Sequence, residues 1–233
     1  MEIAILDLTG HPLPMLGNLP RASDLIIEWL LPSLPEAKFK CFDIAEKKQS
    51  LPHTTDFDGL LISGSEHGVY DFTSWNRPLR SLLNETKVAL KPIFGICYGH
   101  QIIADTFGGR VEKADIGEII GAKRFDFGSY SADAHVWHKD QVSIMPPQAR
   151  ITASALHCPV GALNYDFPAA SVQFHPEFSE FQLRELFRRG VDHFLKKEQV
   201  LVAVESLDKA NVCVGLRAEE TAAFYRKYCR STV

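Results

Sequence analysis

The pattern of apolar and polar positions changes period repeatedly along the first part of the chain. Four short apolar runs have the length of strands: residues 2–6, 38–43, 59–62 and 92–94. Two stretches between them have the spacing of amphipathic helices: residues 23–31 and 78–90. This βαβ alternation predicts an α/β fold, a three-layer sandwich with a central, mostly parallel sheet.

The second part of the chain has a different pattern. Residues 110–175 contain short β-like runs interrupted by glycine and aspartate, which predicts hairpins that extend the sheet. A capping-box pattern at residues 179–182 predicts a helix that continues to about Lys197. An apolar run then leads to a break at Gly215 and a last helix at residues 218–229. We expect residues 1–197 to form one domain, with residues 198–233 as a C-terminal extension packed on it.

Composition indicates an ordinary soluble protein. Of the 233 residues, 45% are hydrophobic, and the net charge of −4 argues against a nucleic-acid surface. No apolar run approaches the length of a membrane span, and the N-terminus lacks the basic start of a signal peptide. The five cysteines are odd in number and show no Cys-x-x-Cys spacing, so we expect no disulfide framework and a cytoplasmic location.

A cysteine stands at the corner of a predicted strand–turn–helix unit. Residues 95–99 read Gly-Ile-Cys-Tyr-Gly and directly follow the strand at residues 92–94. Small residues on both sides of Cys97 allow the tight, strained turn of a nucleophile elbow. The helix that follows points its free N–H groups at the sulfur, which favours the reactive thiolate. An isolated cysteine after a strand is usually a core residue, but this context predicts a nucleophile.

A base for this thiol is found further along the chain, where residues 173–177 read Gln-Phe-His-Pro-Glu. Pro176 favours extended backbone at His175, and residues two apart in an extended segment face the same side. His175 and Glu177 are therefore expected to project together. The imidazole would accept the thiol proton, and the carboxylate would fix the tautomer of the ring.

Both motifs resemble the signatures of class I glutamine amidotransferases, in particular the glutaminase domain of GMP synthase and its stand-alone homologues. A third motif agrees, because residues 63–65 read Ser-Gly-Ser after a predicted strand, where the family often has Ser-Gly-Gly-Pro. The resemblance covers roughly residues 1–195. It implies the flavodoxin-like α/β fold of class I glutaminases and a catalytic triad of Cys97, His175 and Glu177.

The resemblance also implies roles for residues around the triad. The backbone N–H groups of Ser65 and Tyr98 would form the oxyanion hole, although Ser65 and Glu66 depart from the glycine and proline of the family. The substrate glutamine would be contacted by four residues: Gly64, Gln101, Trp137 and His138. Trp137 replaces the serine of the family's Ser-His-x-Asp segment.

Two further expectations concern the histidines. His100 is expected to be structural rather than catalytic. The nine histidines show no paired spacing along a helix, so we expect no metal site, and the implied chemistry needs no cofactor.

The implied reaction is hydrolysis of the γ-amide of glutamine through a thioester, and the fate of the ammonia stays open. In one interpretation, a separate synthetase or acceptor subunit takes it, since the pyrophosphate loop of the GMP synthase synthetase domain is absent. In another, the protein acts alone as a γ-glutamyl peptidase. A silent regulatory module is a third alternative, which the intact set of Cys97, His175 and Glu177 argues against. The motifs favour the partner-dependent amidotransferase.

Overall fold

The computed structural model describes residues 1–10, 19–191, 193 and 195–229. The strands and α-helices of this part are, in chain order, β1 (Glu2–Asp7), α1 (Ala22–Leu30), β2 (Lys38–Asp43), β3 (Gly59–Ile62), α2 (Asn76–Val88), β4 (Ile93–Ile96), α3 (Tyr98–Thr106), β5 (Arg110–Lys113), β6 (Ile119–Asp126), β7 (Ser131–His138), β8 (Asp140–Ile144), β9 (Ala149–Ala155), β10 (Cys158–Tyr165), β11 (Ala169–Val172), α4 (Glu180–Gly190), α5 (Lys197–Lys209) and α6 (Ala218–Cys229). None of the described helices is long and apolar enough to span a membrane.

Nine strands form one mixed sheet in the order β2-β1-β3-β4-β11-β10-β9-β6-β7. The strands from β2 to β11 run parallel to one another. The strands beyond β11 are antiparallel to their neighbours and form the predicted extension. Strands β5 and β8 pair separately. The predicted α/β fold with its parallel centre is confirmed.

Alternate residues of β1 pack on opposite faces of the sheet, as the period of a strand requires. Ile3 and Ile5 belong to a cluster that includes side chains of α1 and α6, whereas Ala4 and Leu6 belong to a cluster with α2 and α3. Helices therefore cover both faces of the parallel strands, which gives the three layers. Because the centre of the sheet is buried on both faces, β3 is buried and free of polar side chains along its whole length.

The C-terminal region packs on the same sheet. Tyr225 of α6 is fully buried, and its hydroxyl donates to the carbonyl of Leu60 in β3 at 2.9 Å. Side chains of α5 pack with Ile120 and Ala122 of β6. The domain boundaries remain a prediction, which this packing supports.

One helix prediction is wrong. The helix that opens at Ser179 with the predicted capping box ends at Gly190, rather than at about Lys197, and a separate helix α5 follows. The backbone of Val191 is extended, and the N–H of Leu195 bonds back to the carbonyl of Gly190 at 3.0 Å. Glycine is a poor helix former, and Leu195 is buried, so the chain turns here to bring Leu195 into the core.

Strands β3, β4 and β11 are adjacent and parallel, so the loops that follow them meet at one edge of the sheet. These loops carry Ser63 to Ser65, Cys97 and His175, the residues of the three sequence motifs.

Candidate active site

Cys97 occupies a strained turn between β4 and α3. Its φ of 52° and ψ of −103° lie in a region that residues with a side chain rarely adopt. The turn is imposed by close backbone packing: a Cβ at Gly95 would lie 2.5 Å from the carbonyl carbon of Gly99, and a Cβ at Gly99 would overlap the carbonyl oxygen of Ile62. Strand and helix therefore approach more closely than any side chain permits.

Hydrogen bonds fix the elbow to both neighbouring strands. The N–H of Cys97 donates to the carbonyl of Val172 in β11 at 2.8 Å, and the N–H of Gly99 donates to the carbonyl of Ser63 after β3 at 3.1 Å. Among the described residues, no acceptor pairs with the N–H of Tyr98, the first residue of α3. This N–H is available to a ligand beside the sulfur.

The imidazole of His175 is held by a carboxylate and a ring. Its Nδ1 lies 2.6 Å from Oε1 of Glu177, and both side chains are buried. The ring also stacks on Phe178, with centroids 4.4 Å apart and planes 8° from parallel. The extended segment after β11 thus places His175 and Glu177 together, and the stacking on Phe178 adds a second constraint on the ring.

Cys97 and His175 converge on one acceptor, the carbonyl oxygen of Trp137. This oxygen is 3.5 Å from Sγ of Cys97 and 3.4 Å from Nε2 of His175. Burial by itself would lower the pKa of His175, but the Glu177 carboxylate and the Cys97 side chain raise this pKa well above its ordinary value. The imidazole therefore keeps its proton to a higher pH than a free histidine does.

The Ser63 side chain orients the peptide that follows it. Its buried hydroxyl accepts the N–H of Leu8 at 2.9 Å and donates to the carbonyl of Gly64 at 2.8 Å. In a trans peptide the N–H points opposite to the C=O, so the N–H of Ser65 points away from the Ser63 hydroxyl and from β1. Cys97 lies on the other side of β3, after β4.

Two further contacts hold the loop after β3. Lys139 Nζ donates to the carbonyl of Glu66 at 3.0 Å, and the N–H of Gly10 donates to the Glu66 carboxylate at 2.9 Å. Within the described chain, no acceptor pairs with the N–H of Ser65. The loop is exposed at Glu66 and His67, yet Glu66 is held through both its carbonyl and its carboxylate.

A cavity of about 450 Å³ adjoins these residues, within the usual size range of small-molecule sites. It is lined by Cys97, His175 and Ser65, and by all four residues that the sequence assigned to substrate: Gly64, Gln101, Trp137 and His138. The structure therefore gathers at one cavity the predicted nucleophile, base and binding residues. Tyr98 contributes only its backbone, because its side chain is buried against Trp75.

One end of the cavity is polar. Gln101 Nε2 donates to the carbonyl of Asp140 at 2.8 Å and to Oε1 of Gln173 at 3.1 Å. Nδ1 of His138 lies 3.0 Å from the same Asp140 carbonyl, and its Nε2 has no partner in the described part of the chain. Burial lowers the pKa of His138 to about 3, so its ring is neutral.

His100 has a structural environment. Its Nδ1 lies 2.8 Å from Oγ of Ser171 and its Nε2 lies 3.1 Å from the carbonyl of Val160, so both ring nitrogens are engaged away from the cavity. Desolvation lowers its pKa to about 4. In the described ranges, no three His, Cys, Asp or Glu side chains are grouped to hold a metal ion.

Several residues of the cavity had not been predicted: Leu25, Glu118, Phe178 and Leu186. Phe178 directly follows the His-Pro-Glu motif, and this position is the sequence signal that could have identified it as a residue of the cavity. Leu25 and Leu186 come from α1 and α4, which meet the motif loops only in the folded chain.

Comparison with known proteins identifies the relatives of this chain. The family model "Glutamine amidotransferase class-I" matches residues 27–192. A glutamine-hydrolyzing GMP synthase of Pseudomonas aeruginosa is 33% identical over 153 residues, which are 58% of this chain and 28% of that protein. Gamma-glutamyl peptidase 2 of Arabidopsis thaliana is 30% identical over 166 residues, 66% of this chain and 67% of that protein.

A solved structure extends the likeness to the whole fold. The glutamine amido transferase of Methylobacillus flagellatus superposes with a TM-score of 0.77 and 21% identity, covering 97% of this chain and 94% of that one. At this identity, the likeness concerns the fold. The chain spans less than a third of the length of the GMP synthase but about two thirds of the length of the peptidase.

Proposed function

The chain belongs to the class-I glutamine amidotransferase family, whose members are enzymes, and we propose that it cleaves the γ-amide bond of glutamine or of a γ-glutamyl amide through a thioester on Cys97. One observation carries this proposal: Sγ of Cys97 and Nε2 of His175 converge on one carbonyl while Nδ1 of His175 is held by Glu177.

In the first half-reaction, the Cys97 thiolate attacks the γ-carbonyl carbon, and the carbonyl electrons move to its oxygen. His175 donates the proton on Nε2 to the departing nitrogen, the C–N bond breaks, and the thioester remains. Glu177 holds the tautomer in which Nε2 faces the sulfur and stabilises the imidazolium.

In the second half-reaction, neutral His175 accepts a proton from water, whose oxygen attacks the thioester carbon. The C–S bond then breaks, glutamate leaves, and the thiolate–imidazolium pair is restored. Before the first half-reaction and after the second, when Nε2 carries a proton, the carbonyl of Trp137 is its acceptor.

The oxyanion that forms in each half-reaction requires two donors. Within the part of the chain that the structure describes, no acceptor pairs with the N–H of Tyr98 at the start of α3 or with the N–H of Ser65 after β3, and we assign both to the oxyanion. Fixed backbone donors of this kind lower the barrier by about 3 kcal/mol each. The loop after β3 is therefore prearranged in our proposal.

The glutamyl part of the substrate is polar and belongs at the polar end of the cavity. Gln101 and His138 line the cavity with polar side chains, and Gly64 lines it beside Cys97. We assign the polar α-groups of the substrate to this part of the cavity, beside Gln101 and His138.

Two versions of the reaction differ in the amine that leaves. The alignment covers 28% of the GMP synthase, so a chain that performs only glutamine hydrolysis would supply ammonia to a separate synthetase subunit. The alignment with the γ-glutamyl peptidase covers two thirds of that protein, which supports a second version in which the chain acts alone and releases an amine. The substrate is a small molecule in both versions.

Replacement of Cys97 tests the proposal. Cys97→Ala should abolish glutamate release from glutamine and γ-glutamyl amides, while the free energy of unfolding changes by only about 1 kcal/mol. A folded variant that keeps a tenth of the wild-type rate would contradict the mechanism.

Selective labelling gives an independent test. A diazo-ketone analogue of glutamine should alkylate Cys97 before the other thiols, because burial raises the pKa of Cys158 to about 12 and that of Cys229 to about 11. Cys213 is exposed and serves as the internal control. An adduct found mainly on Cys213 would show that the reagent responds to exposure rather than to the site.

A further inference from the structure

The position of His175 determines where the leaving amine must lie. The atom that receives the proton from Nε2 is the departing nitrogen, so any group on that nitrogen extends from the Nε2 side of the ring into the cavity. The glutamyl chain occupies the polar end, beside Gln101 and His138. The remaining volume of the cavity is the space open to the amine.

This space has an apolar wall built by four separate parts of the chain. Its side chains are Ala22, Leu25, Trp137, Phe178 and Leu186. Phe178 stacks directly on His175, so the wall begins at the group that protonates the amine. Leu25 is buried in the face of α1, and Leu186 reaches the wall from α4.

The wall is held rigidly. The indole N–H of Trp137 donates to Oε1 of Glu118 at 3.1 Å, and the ring packs on Phe187 with centroids 5.4 Å apart. Phe187 is fully buried, so its ring cannot move aside and the indole of Trp137 stays in place. An apolar surface kept in place in this way is suited to an apolar group and is stabilised when that group covers it.

Glutamine does not account for this surface, since ammonia carries no carbon that would contact it. Resting on the proposed function, we propose that the amine of the physiological substrate carries an aromatic or branched aliphatic group, so that the substrate is a γ-glutamyl conjugate of an apolar primary amine or amino acid. The reaction consumes one water: the Cys97 thioester forms as the C–N bond breaks, the amine leaves with the proton of His175, and water releases glutamate.

A matched series of substrates tests this inference. The substrates are glutamine, γ-glutamyl-methylamide, γ-glutamyl-phenethylamide and γ-glutamyl-phenylalanine. The two alkylamides have similar amide chemistry, so a difference between them reports on the wall. We expect kcat/KM for the phenethylamide to exceed that for the methylamide at least about tenfold, the effect of an apolar group that enters a matching pocket. The phenylalanine conjugate differs from the phenethylamide by one carboxylate and distinguishes an amino acid from a simple amine.

Two variants locate the effect. Leu186→Gln should lower the phenethylamide-to-methylamide ratio by about tenfold, because it places a polar amide in the wall. Ala22→Leu should lower the same ratio because the larger side chain fills the space. This variant adds apolar volume instead of polarity, and it replaces the first variant if that one fails to fold. Leu201→Gln, on the exposed face of α5, is the matched control and should leave the ratio unchanged.

The outcomes separate the inference from the proposed function. Hydrolysis of glutamine and the methylamide without preference for the phenethylamide overturns the inference and leaves the proposed function standing. Absence of hydrolysis and of Cys97 labelling contradicts the proposed function. In that case, calorimetric binding of the same series to Cys97→Ala decides the inference: tighter binding of the phenethylamide supports the apolar wall, and equal or absent binding overturns it.

Discussion

The two backbone donors beside Cys97 are held in place by different forces. On the elbow side, the position of Tyr98 follows from backbone packing at Gly95 and Gly99, where no added carbon fits. On the loop side, the direction of the Ser65 N–H follows from one buried hydroxyl, that of Ser63, and the loop beyond it is exposed. Packing and backbone hydrogen bonds together fix the first donor, whereas hydrogen bonds alone fix the second.

The elbow and the loop should therefore respond differently to amino-acid substitutions. A substitution in the elbow disturbs β3, β4 and α3 together, so it should appear first as lost stability. A substitution in the loop leaves the core intact, so it should appear first as lost rate. The proposed triad contains both kinds of constraint, because His175 is held by the Glu177 carboxylate and also by stacking on Phe178.

The largest effect is expected at His175, where both constraints act on one ring. His175→Asn removes the group that moves protons in both half-reactions and should lower kcat/KM by about 10⁴-fold or more. Glu177→Gln should be at least about tenfold less damaging, because stacking on Phe178 still orients the ring. Steady-state kinetics with glutamine and a γ-glutamyl amide measure the loss of kcat/KM in both variants. Equal losses would show that stacking contributes nothing.

Gly99→Ala tests the elbow as a packing feature. The new Cβ would overlap the carbonyl oxygen of Ile62, so we expect the free energy of unfolding to fall by about 3 kcal/mol in urea titrations. Gly10→Ala is the matched control, since its Cβ would meet Glu66 at an ordinary distance of 3.8 Å. A Gly99 variant as stable as the control would contradict the packing argument.

Acid should weaken the elbow side through His100, which lies in α3. The pKa of His100 in the folded protein is about 4, below the ordinary value of 6.5. Between these values the unfolded chain binds more protons, so stability falls as the pH drops from about 6.5 to 4, by up to about 3 kcal/mol. His100→Gln should lessen the slope of this part of the pH profile, to which buried His138 also contributes, whereas replacement of exposed His67 should leave the slope unchanged. Identical profiles for wild type and His100→Gln would rule out this contribution.

Ser63→Ala tests the loop as a hydrogen-bonded feature and should have the smallest effect. Without the hydroxyl, the Gly64 peptide is free to turn, and we expect kcat to fall roughly tenfold to hundredfold with little change in KM. Alkylation of Cys97 by iodoacetamide, which forms no oxyanion, should keep its wild-type rate. A loss in alkylation equal to the loss in kcat would mean that Ser63 supports the elbow rather than the loop.

Much of the fold was predictable from local pattern. Strands β2 and β3 and helix α6 have the bounds that the sequence indicated, because their apolar periods are uninterrupted and end at clear signals. The sequence predicted too long a helix after Ser179, because helical spacing of apolar residues continues past Gly190. Burial of Leu195 requires the chain to turn there. Tertiary packing overrode local propensity at that point.

The sequence by itself determined the chemistry of the candidate site, because the nucleophile, base and carboxylate stand in short motifs whose backbone geometry is local. The glycines around Cys97 and the proline after His175 act on their immediate neighbours, and such effects can be read from adjacent residues. Only the tertiary structure decided the surroundings. The carbonyl of Trp137 reaches Cys97 from β7, and the apolar wall joins Leu25 of α1 to Leu186 of α4. Contacts between segments so far apart depend on how the layers pack, and no local pattern encodes them.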